Sequence, residues 1–186
     1  MGKTLNIAST SSTNKVEILS SADIITSSAI NRRASNNISA SKVSITNYHA
    51  SNAVKVSLYT EAIGTGIVTV LAADYQSSND ATITHTSNTA IKPGMEVTSS
   101  LGGIPSNSFV SSVTSALEFE LNANTTVDIA GTAVLTLTQK HYIINDIEIP
   151  VGATLVLDDN ITFNSKTNKL VLLKTGSNTK ITVIIE

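Results

Sequence analysis

The chain has 186 residues, a formal net charge of −2 and no cysteine. Without cysteine it cannot form disulfides, thiolate nucleophiles or cysteine-ligated zinc sites. Its 12 scattered Lys and Arg residues provide no basic face for nucleic acid. Charged residues reach only 14%, whereas there are 25 Ser and 25 Thr. Because Thr, Val and Ile favour strands while Ser and Asn favour turns, the composition predicts an all-β protein.

The N-terminal segment MGKTLNIAST has no hydrophobic signal core, and no apolar run approaches the length of a membrane span. Small secreted domains usually carry disulfides, so the absence of cysteine favours synthesis in the cytosol. We therefore expect neither a membrane nor nucleic acid among the partners.

Residues 1–40 are polar and contain few large side chains. The segment MGKTLNIASTSSTNK can pair as an edge strand, although it has few apolar anchors. The segment VEILSSADIITSSAINRR is ambiguous between a short helix and an extended N-terminal arm that lies on a neighbouring subunit. The apolar side chains of this region have no obvious core of their own. We therefore expect possible assembly contacts at Leu5, Ile7, Val16, Ile18, Leu19, Ile24 and Ile25.

Residues 41–62 show the clearest strand pattern in the chain. In KVSIT and in VKVSLY, apolar residues alternate with polar ones, and the segment NYHASNA lies between them. Period-two alternation is typical of half-buried antiparallel strands. Two such strands with a short polar link predict a hairpin.

Residues 63–138 show a separate pattern of short strands. They follow the glycine-rich segment AIGTG, and Pro93-Gly94 and Gly102-Gly103 mark turns. The segments GIVTVLAADY, ATITHTSN, FVSSV, ALEFEL and AVLTLT predict strands between these turns. We therefore expect a small all-β module.

From residue 139 the strand pattern of residues 41–62 returns, in KHYIINDIEIP, VGATLVL, NITF, KLVLLKTG and KITVIIE. Frequent turn signals between short strands are expected for a sandwich or barrel. We predict an antiparallel β-sandwich of jelly-roll type, formed by residues 41–62 and 139–186. The β module of residues 63–138 would be inserted in one of its loops, because exposed loops tolerate insertions.

Two segments carry a resemblance to a known group of proteins. The segment KVSITNYHASNAVKVSLYTE, and the later segment YIINDIEIPVGATLVLDDNITF with the Val- and Ile-rich last strand, resemble small β-sandwich virion proteins of tailed bacteriophages, especially cyanophages. In those proteins the VSLY strand usually leads within a few residues to the strand before IP.GA. Here residues 63–138 lie between the two.

The intervening segment carries a second resemblance, to a small β module that recurs in phage tail and fibre proteins. Its pattern is GM.V.G.GIP..T.V.SV, followed by LTFT. The matching residues are Gly94, Met95, Val97, Ile104, Pro105 and Val113. The chain departs from the pattern at Ser106-Asn107-Ser108, where a Gly-Thr turn is common.

No segment carries a recognisable catalytic or metal-binding motif. His49, His85 and His141 are far apart in the sequence, and none has a second ligand type at the spacing of a metal site. We expect all three to face solvent. No serine lies in a G-x-S-x-G elbow, so no residue stands out as a nucleophile.

The main acidic cluster consists of Asp146, Glu148, Asp158 and Asp159. Asp146 and Glu148 would share one face of a strand, which makes a calcium site conceivable, although no D-x-D-x-D-G loop is present. A glycosidase would need two carboxylates in a cleft, usually among aromatic side chains, and the chain has no Trp. We expect Asp158 and Asp159 to form a turn between two strands.

These observations predict a non-enzymatic protein with no catalytic residue, cofactor or metal ion. The resemblance implies a structural protein of a tailed-phage virion, assembled in the host cytoplasm. The leading expectation is a decoration or cement protein on the capsid surface, and the alternative is a neck, collar, tail-adaptor or fibre-base subunit. A weaker alternative is a host-surface or glycan-binding module that uses Tyr75. The expected partners are the major capsid protein, or neck and tail proteins, and further copies of the chain, with a trimer as one expected assembly.

Overall fold

The computed structural model describes residues 3–9, 13–20, 37–64, 67–75, 80–176 and 178–186. These residues form 15 β-strands and include no helix long and apolar enough to cross a membrane. The chain divides into two compact units, Met1–Glu61 with His141–Glu186, and Ala62–Lys140. Among the described residues each unit has its own apolar core, with no member from the other.

The first unit, called the sandwich unit below, contains ten strands or parts of strands. They are β1 (Lys3–Ser9), β2 (Thr13–Leu19), β3 (Asn37–Ala40), β4 (Val43–Asn47), β5 (Val54–Ala62), the second part of β11 (Ile129–Ile149), β12 (Thr154–Leu157), β13 (Ile161–Asn164), β14 (Asn168–Thr175) and β15 (Thr179–Ile185). Eight of them lie in two neighbour orders, β1–β15–β4–β12 and β2–β14–β5–β11, and β3 pairs with β13.

The order of these eight strands is that of a jelly roll. Along the chain, β1 to β2, β4 to β5, β11 to β12 and β14 to β15 each pass from one of the two orders to the other. Two strands that are neighbours in one order are connected along the chain to two strands that are neighbours in the other, as when a long hairpin is wrapped into two Greek keys. The structure therefore confirms the predicted all-β antiparallel sandwich.

The predicted hairpin of residues 41–62 is wrong, although both of its strands exist. β4 pairs with β15 and β12, whereas β5 lies between β14 and β11. The link Tyr48–Ala53 is therefore an arch between the two sheets. Val43 and Ile45 of β4 share one core with Val54, Val56 and Leu58 of β5. Alternating apolar residues suit an arch over a shared core as well as a hairpin, so the pattern alone could not distinguish them.

The first N-terminal segment forms an edge strand, as its sequence allows, and the described residues 13–19 form a second strand in place of a free arm. β1 pairs with β15 over its whole length, from Lys3 opposite Ile185 to Ser9 opposite Thr179. β2 pairs with β14. Both strands place apolar side chains in the sandwich core. The sandwich thus includes described residues of the segment 1–40, whose polar composition predicts an arm.

The second unit, called the barrel unit below, contains β6 (Ile67–Tyr75), β7 (Thr82–Thr84), β8 (Met95–Ser99), β9 (Val110–Ser115), β10 (Glu118–Leu121) and residues 129–140 of β11. The strands pair in the order β8–β11–β6–β7–β10–β9. Met95 and Val97 of β8 lie in the core beside Phe119 and Leu121 of β10. Each strand thus contributes to a single small core.

Backbone contacts close this order into a ring. Glu96 of β8 forms a bridge with Phe109 next to β9. On either side of it, the Gly94 amide donates to the Val110 carbonyl at 2.8 Å, and the Val97 amide donates to the Ser108 carbonyl at 2.9 Å. Closure satisfies strand edges that would otherwise be open. The Pro93-Gly94 turn, with a Gly94 φ of 84°, leads the chain into β8 at this closure.

The turn between β11 and β12 is held by Asn47, the last residue of β4. Gly152, with a φ of 73°, donates its amide to the Asn47 carbonyl at 2.9 Å. The fully buried Asn47 side chain donates to the carbonyls of Ile149 at 3.0 Å and Asn52 at 2.9 Å. One buried amide group therefore ties two arches of the sandwich together.

Candidate functional site

The structure places the predicted assembly contacts inside the sandwich unit. Ile7, Ile18 and Leu19 are buried in its core, and Leu5 and Val16 pack against that core. Ile24 and Ile25 lie outside the described residues. The five described side chains thus have a core of their own, which corrects the premise that made them assembly contacts. Ile7, Ile18 and Leu19 are buried and out of reach of a neighbouring subunit, whereas Leu5 and Val16 remain partly exposed.

The acidic residues do not converge on one point. Asp146 is exposed on β11 and pairs with Lys55 at 3.2 Å. Asp158 and Asp159 are exposed between β12 and β13, which is the turn that the sequence predicted. No group of three His, Asp or Glu side chains suited to a metal ion occurs among the described residues.

The histidines occupy three different environments. His141 is exposed on β11. In the β4–β5 arch, His49 Nδ1 accepts from the amides of Ser51 at 3.1 Å and Asn52 at 3.0 Å. His85, expected to face solvent, is buried in the barrel unit, because its ring packs 5.3 Å from the ring of Phe119.

The tautomer of His85 follows from its contacts. Nδ1 lies 2.7 Å from the Thr86 carbonyl oxygen, which can only accept, so Nδ1 carries the proton. The other nitrogen, Nε2, is buried with no hydrogen-bond partner in the structure. His85 therefore has its one donor engaged with the backbone, and it is not arranged as a base for a nearby hydroxyl.

An open cleft of about 600 Å³ lies beside His85 on the barrel unit. Its walls combine two carboxylates with hydroxyls and one exposed leucine, from Asp74, Thr84, His85, Thr86, Ser115, Leu117, Glu118 and Gly131. Asp74 lies opposite Thr84 in the pairing of β6 with β7. The cleft could take a polar ligand.

A cluster of ion pairs lies on three strands of the sandwich unit. Glu61 of β5, whose side chain is 5% exposed, pairs with Lys15 of β2 and, at 3.4 Å, with Lys169 next to the start of β14. Lys169 also reaches Glu17 at 3.5 Å. A buried carboxylate needs such partners to remain charged. The members of this cluster are far apart in the chain, and no local pattern in the sequence indicates that Glu61 is buried.

Lys174 of β14 is a second buried charge that the sequence did not reveal. Its side chain lies inside the sandwich unit, where Nζ donates to the Gly176 carbonyl at 3.2 Å and to the Thr179 hydroxyl. Burial removes water from the ammonium group and lowers the pKa of Lys174. These contacts link the ends of β14 and β15 and have a structural role.

The middle of the outer face of the order β1–β15–β4–β12 carries no charged side chain, and Lys180, opposite Ala8, lies in the row beyond it. Strand register aligns Asn6, Thr182, Thr46 and Thr154 in one row across the four strands. Thr46 and Thr154 hydroxyls are 2.8 Å apart, and the Thr182 hydroxyl donates to Asn6 Oδ1 at 2.8 Å. The next row holds Thr4, Ile184, Ser44 and Val156. We call these two rows the hydroxyl face.

Exposed apolar side chains of the sandwich unit concentrate at one edge. Of the seven large exposed apolar residues described there, Tyr48 and Ile184 lie elsewhere. The other five lie on β11, on β12 or in the turn between them: Tyr142, Ile143, Ile147, Val151 and Val156. We call these five residues the β11–β12 edge. Tyr142 also packs its ring 5.1 Å from the buried ring of Tyr59 on β5.

Comparisons with known proteins found no matching family model, no matching curated protein and no matching solved structure.

Proposed function

We propose that this chain is a non-enzymatic structural subunit of a tailed-phage virion, and that it decorates the surface of the head. The observation that carries the proposal is a jelly roll whose β5-to-β11 connection contains a closed barrel with a separate core. A unit with its own core adds binding surface without disturbing the sandwich, which suits a protein that works through contacts.

The segments that resemble phage proteins have clear physical roles in this fold. VSLY lies in β5, directly before the chain enters the barrel unit, and IP.GATLVL forms the turn into β12 and that strand. In the barrel, Met95 and Val97 are core residues, and Gly94 helps to close the ring. The resemblance therefore rests on residues that specify the fold, which supports common architecture with those virion proteins.

The one departure from the module pattern also forms a complete turn. Asn107 has a φ of 64°, a conformation that Asn adopts more readily than most residues. Ser108 closes the turn, since its amide and hydroxyl both donate to the Pro105 carbonyl, at 3.2 Å and 2.8 Å. Ser106-Asn107-Ser108 can thus replace a Gly-Thr turn without loss of the loop.

The hydroxyl face is the surface that we assign to the capsid lattice. Its two rows present hydroxyls, one amide and two aliphatic side chains, and no carboxylate or ammonium group. Contacts of this kind are individually weak. Repeated by symmetry over a lattice, they hold many copies firmly through avidity.

Localisation on the particle tests the proposal. Antibodies against the barrel unit, detected with gold on purified virions, should label the head uniformly. Label confined to one vertex or to the tail would refute decoration and favour a neck, collar or tail-adaptor subunit. Virions without label, from a preparation in which the capsid protein is detected, would refute a virion role.

The hydroxyl face is tested by single charge substitutions. Thr182→Arg places a guanidinium in the middle of the polar row and should abolish binding to particles. Lys166→Arg, in the turn between β13 and β14, is the control and should bind like the parent protein. Undiminished binding of a folded Thr182→Arg protein would remove the hydroxyl face from the proposal.

A further inference from the structure

A row of polar side chains crosses the outer surface of the barrel unit at the cleft beside His85. Strand register places Asp74 of β6 opposite Thr84 of β7, and Thr84 opposite Glu118 of β10. Residues paired in this way share one face of a sheet. Ile83 and His85 are buried whereas Thr84 is exposed, so the row points away from the barrel core. The two carboxylates therefore flank one hydroxyl on the surface.

Both carboxylates of this row are without a counter-charge. Within the described part of the chain, neither Asp74 nor Glu118 accepts a hydrogen bond on its carboxylate or forms an ion pair. By contrast, Glu96 pairs with Lys140 at 2.6 Å, and Glu120 accepts from a threonine hydroxyl at 3.0 Å. The described residues that line the cleft include no Lys or Arg.

The charge of the barrel unit also favours a cationic ligand. Residues 62–140 contain six Asp and Glu residues against two Lys and no Arg, a formal charge of −4, whereas the complete chain carries −2. A cleft lined by one sign of charge raises the local concentration of ions of the opposite sign.

A third acceptor in the wall of the cleft has no donor. His85 lines the cleft and is 6% exposed. Because Nδ1 carries the proton that is donated to the Thr86 carbonyl, Nε2 can only accept. Nε2 has no partner among the described residues, although buried polar atoms are nearly always hydrogen-bonded. An N–H donor from the cleft would complete the hydrogen bonding of this side chain.

The cleft also offers apolar contact and free space. Leu117, which is 55% exposed, lines it next to Glu118. On the β11 side it is lined by Gly131, where an added Cβ would meet no atom within 4 Å. The two carboxylates belong to strands that are two spacings apart, about 9.5 Å. This separation suits a ligand with two ammonium groups joined by a short alkyl chain.

We propose that the cleft of the barrel unit binds an alkyl diamine, with one ammonium group at Asp74, the other at Glu118 and the alkyl chain against Leu117. Further N–H groups of the ligand donate to the Thr84 hydroxyl and to His85 Nε2. A free diamine and the lysine side chains of another protein share this chemistry, and the test below distinguishes them. The inference does not depend on a place in the virion, so it and the proposed function fail separately.

Titration calorimetry of the full chain with 1,4-diaminobutane tests the ligand class. The diamine should bind saturably at low ionic strength, and its affinity should fall on addition of salt. The uncharged analogue 1,4-butanediol should not bind. N-acetyl-lysine methylamide has one ammonium group and should bind about three- to fivefold more weakly than the diamine, because it gains one exposed ion pair fewer.

Substitutions that remove one charge locate the site. Asp74→Asn and Glu118→Gln should each weaken diamine binding about three- to fivefold, and the double variant should not bind. Glu120→Gln is the matched control, because it removes the same charge from the same strand outside the cleft. It should bind like the parent protein. Thermal melting shows that each variant is folded.

Nitrogen NMR of the histidine side chains tests the third acceptor. On saturation with the diamine, the Nε2 signal of His85 should shift, whereas the signals of His49 and His141 should stay in place. An unchanged His85 signal would remove His85 from the site.

Three other results would overturn the proposal. Absence of saturable diamine binding to the parent protein would show that the cleft is not a site. Equal losses of affinity in Glu118→Gln and Glu120→Gln would show a general effect of net charge. A lysine analogue that binds as tightly as the diamine would show that one ammonium group is sufficient, and would make a lysine side chain of a partner protein the ligand.

Discussion

Substitution of Phe119 by alanine should destabilise the barrel unit and leave the sandwich unit folded. Phe119 is completely buried in the barrel core and packs against the ring of His85. It contributes no atom to the sandwich core. Among the described residues the two apolar cores have no member in common, so a cavity at Phe119 opens in the barrel core alone.

The size of the effect follows from burial. Truncation of a buried Phe to Ala costs about 3–5 kcal/mol, and a unit of this size has a total stability of about 4–12 kcal/mol. The melting temperature of the barrel unit should therefore fall by at least about 12 °C. Leu58→Ala, at a fully buried position of β5, should cost about 2–5 kcal/mol in the sandwich unit instead.

Hydrogen exchange followed by mass spectrometry separates the two effects. In Phe119→Ala, peptides from β6 and β10 should lose protection while peptides from β4 and β14 keep it, and Leu58→Ala should show the reverse. Equal loss of protection in both units for either substitution would refute the assignment of two independent cores, and would show that β11 couples them into one cooperative structure.

Three further substitutions test individual contacts. Glu61→Gln removes the charge from a buried carboxylate with two lysine partners, and should lower the free energy of unfolding in urea by about 1.5–3 kcal/mol. Glu17→Gln, at an exposed ion pair, should change the free energy of unfolding by less than about 1 kcal/mol. Equal effects of the two substitutions would contradict a special role for burial. Because burial lowers the pKa of Lys174 in the folded state, the unfolded chain binds the extra proton, and stability should rise with pH between the folded and unfolded pKa values. Lys174→Met should flatten that rise in urea titrations at alkaline pH, and an unchanged slope would show that another group causes it. Asn47→Asp replaces the side-chain amide that donates to two carbonyls with a carboxylate, which can only accept. The free energy of unfolding, measured by calorimetry, should fall by at least about 2 kcal/mol. An unchanged free energy of unfolding would mean that the two arches do not depend on this side chain.

Local sequence patterns predicted the positions of the strands well, but they predicted which strands pair with each other less well. The alternation in VKVSLY and the apolar segment KLVLLKTG correspond to β5 and β14, and the Pro150 to Gly152 segment forms the turn into β12. Partner choice depends on contacts between distant residues, which alternation does not encode. For this reason β4 and β5 were assigned to a hairpin, although each pairs with strands from the C-terminal region.

The N-terminal region shows why a polar composition can be misleading. β1 and β2 carry only a few apolar side chains, and the sequence suggested that these needed a neighbouring subunit. In the fold, Ile7 and Ile18 lie in an apolar core whose other members come mostly from the remaining strands of the sandwich unit. Two or three apolar residues per strand are sufficient when the remaining backbone groups pair with β15 and β14.

The residues that matter most for the surface were not recognisable in the sequence. Ile143 and Ile147 have the apolar character of core residues, yet both are exposed on β11. The burial of Glu61 and Lys174 likewise depends on strands that come together only in the fold. The acidic turn at Asp158 and Asp159 was predictable, because adjacent Asp and Asn residues favour turns for local reasons.

The central claim is that this chain is a repeated structural component of a virion. The most direct measurement is its copy number relative to the major capsid protein, by quantitative mass spectrometry of gradient-purified particles before and after a high-salt wash. The account predicts many copies per particle at a fixed ratio that survives the wash, as expected for avid binding to a lattice. Absence from the particles, or a ratio that varies between preparations and falls to zero on washing, would contradict it.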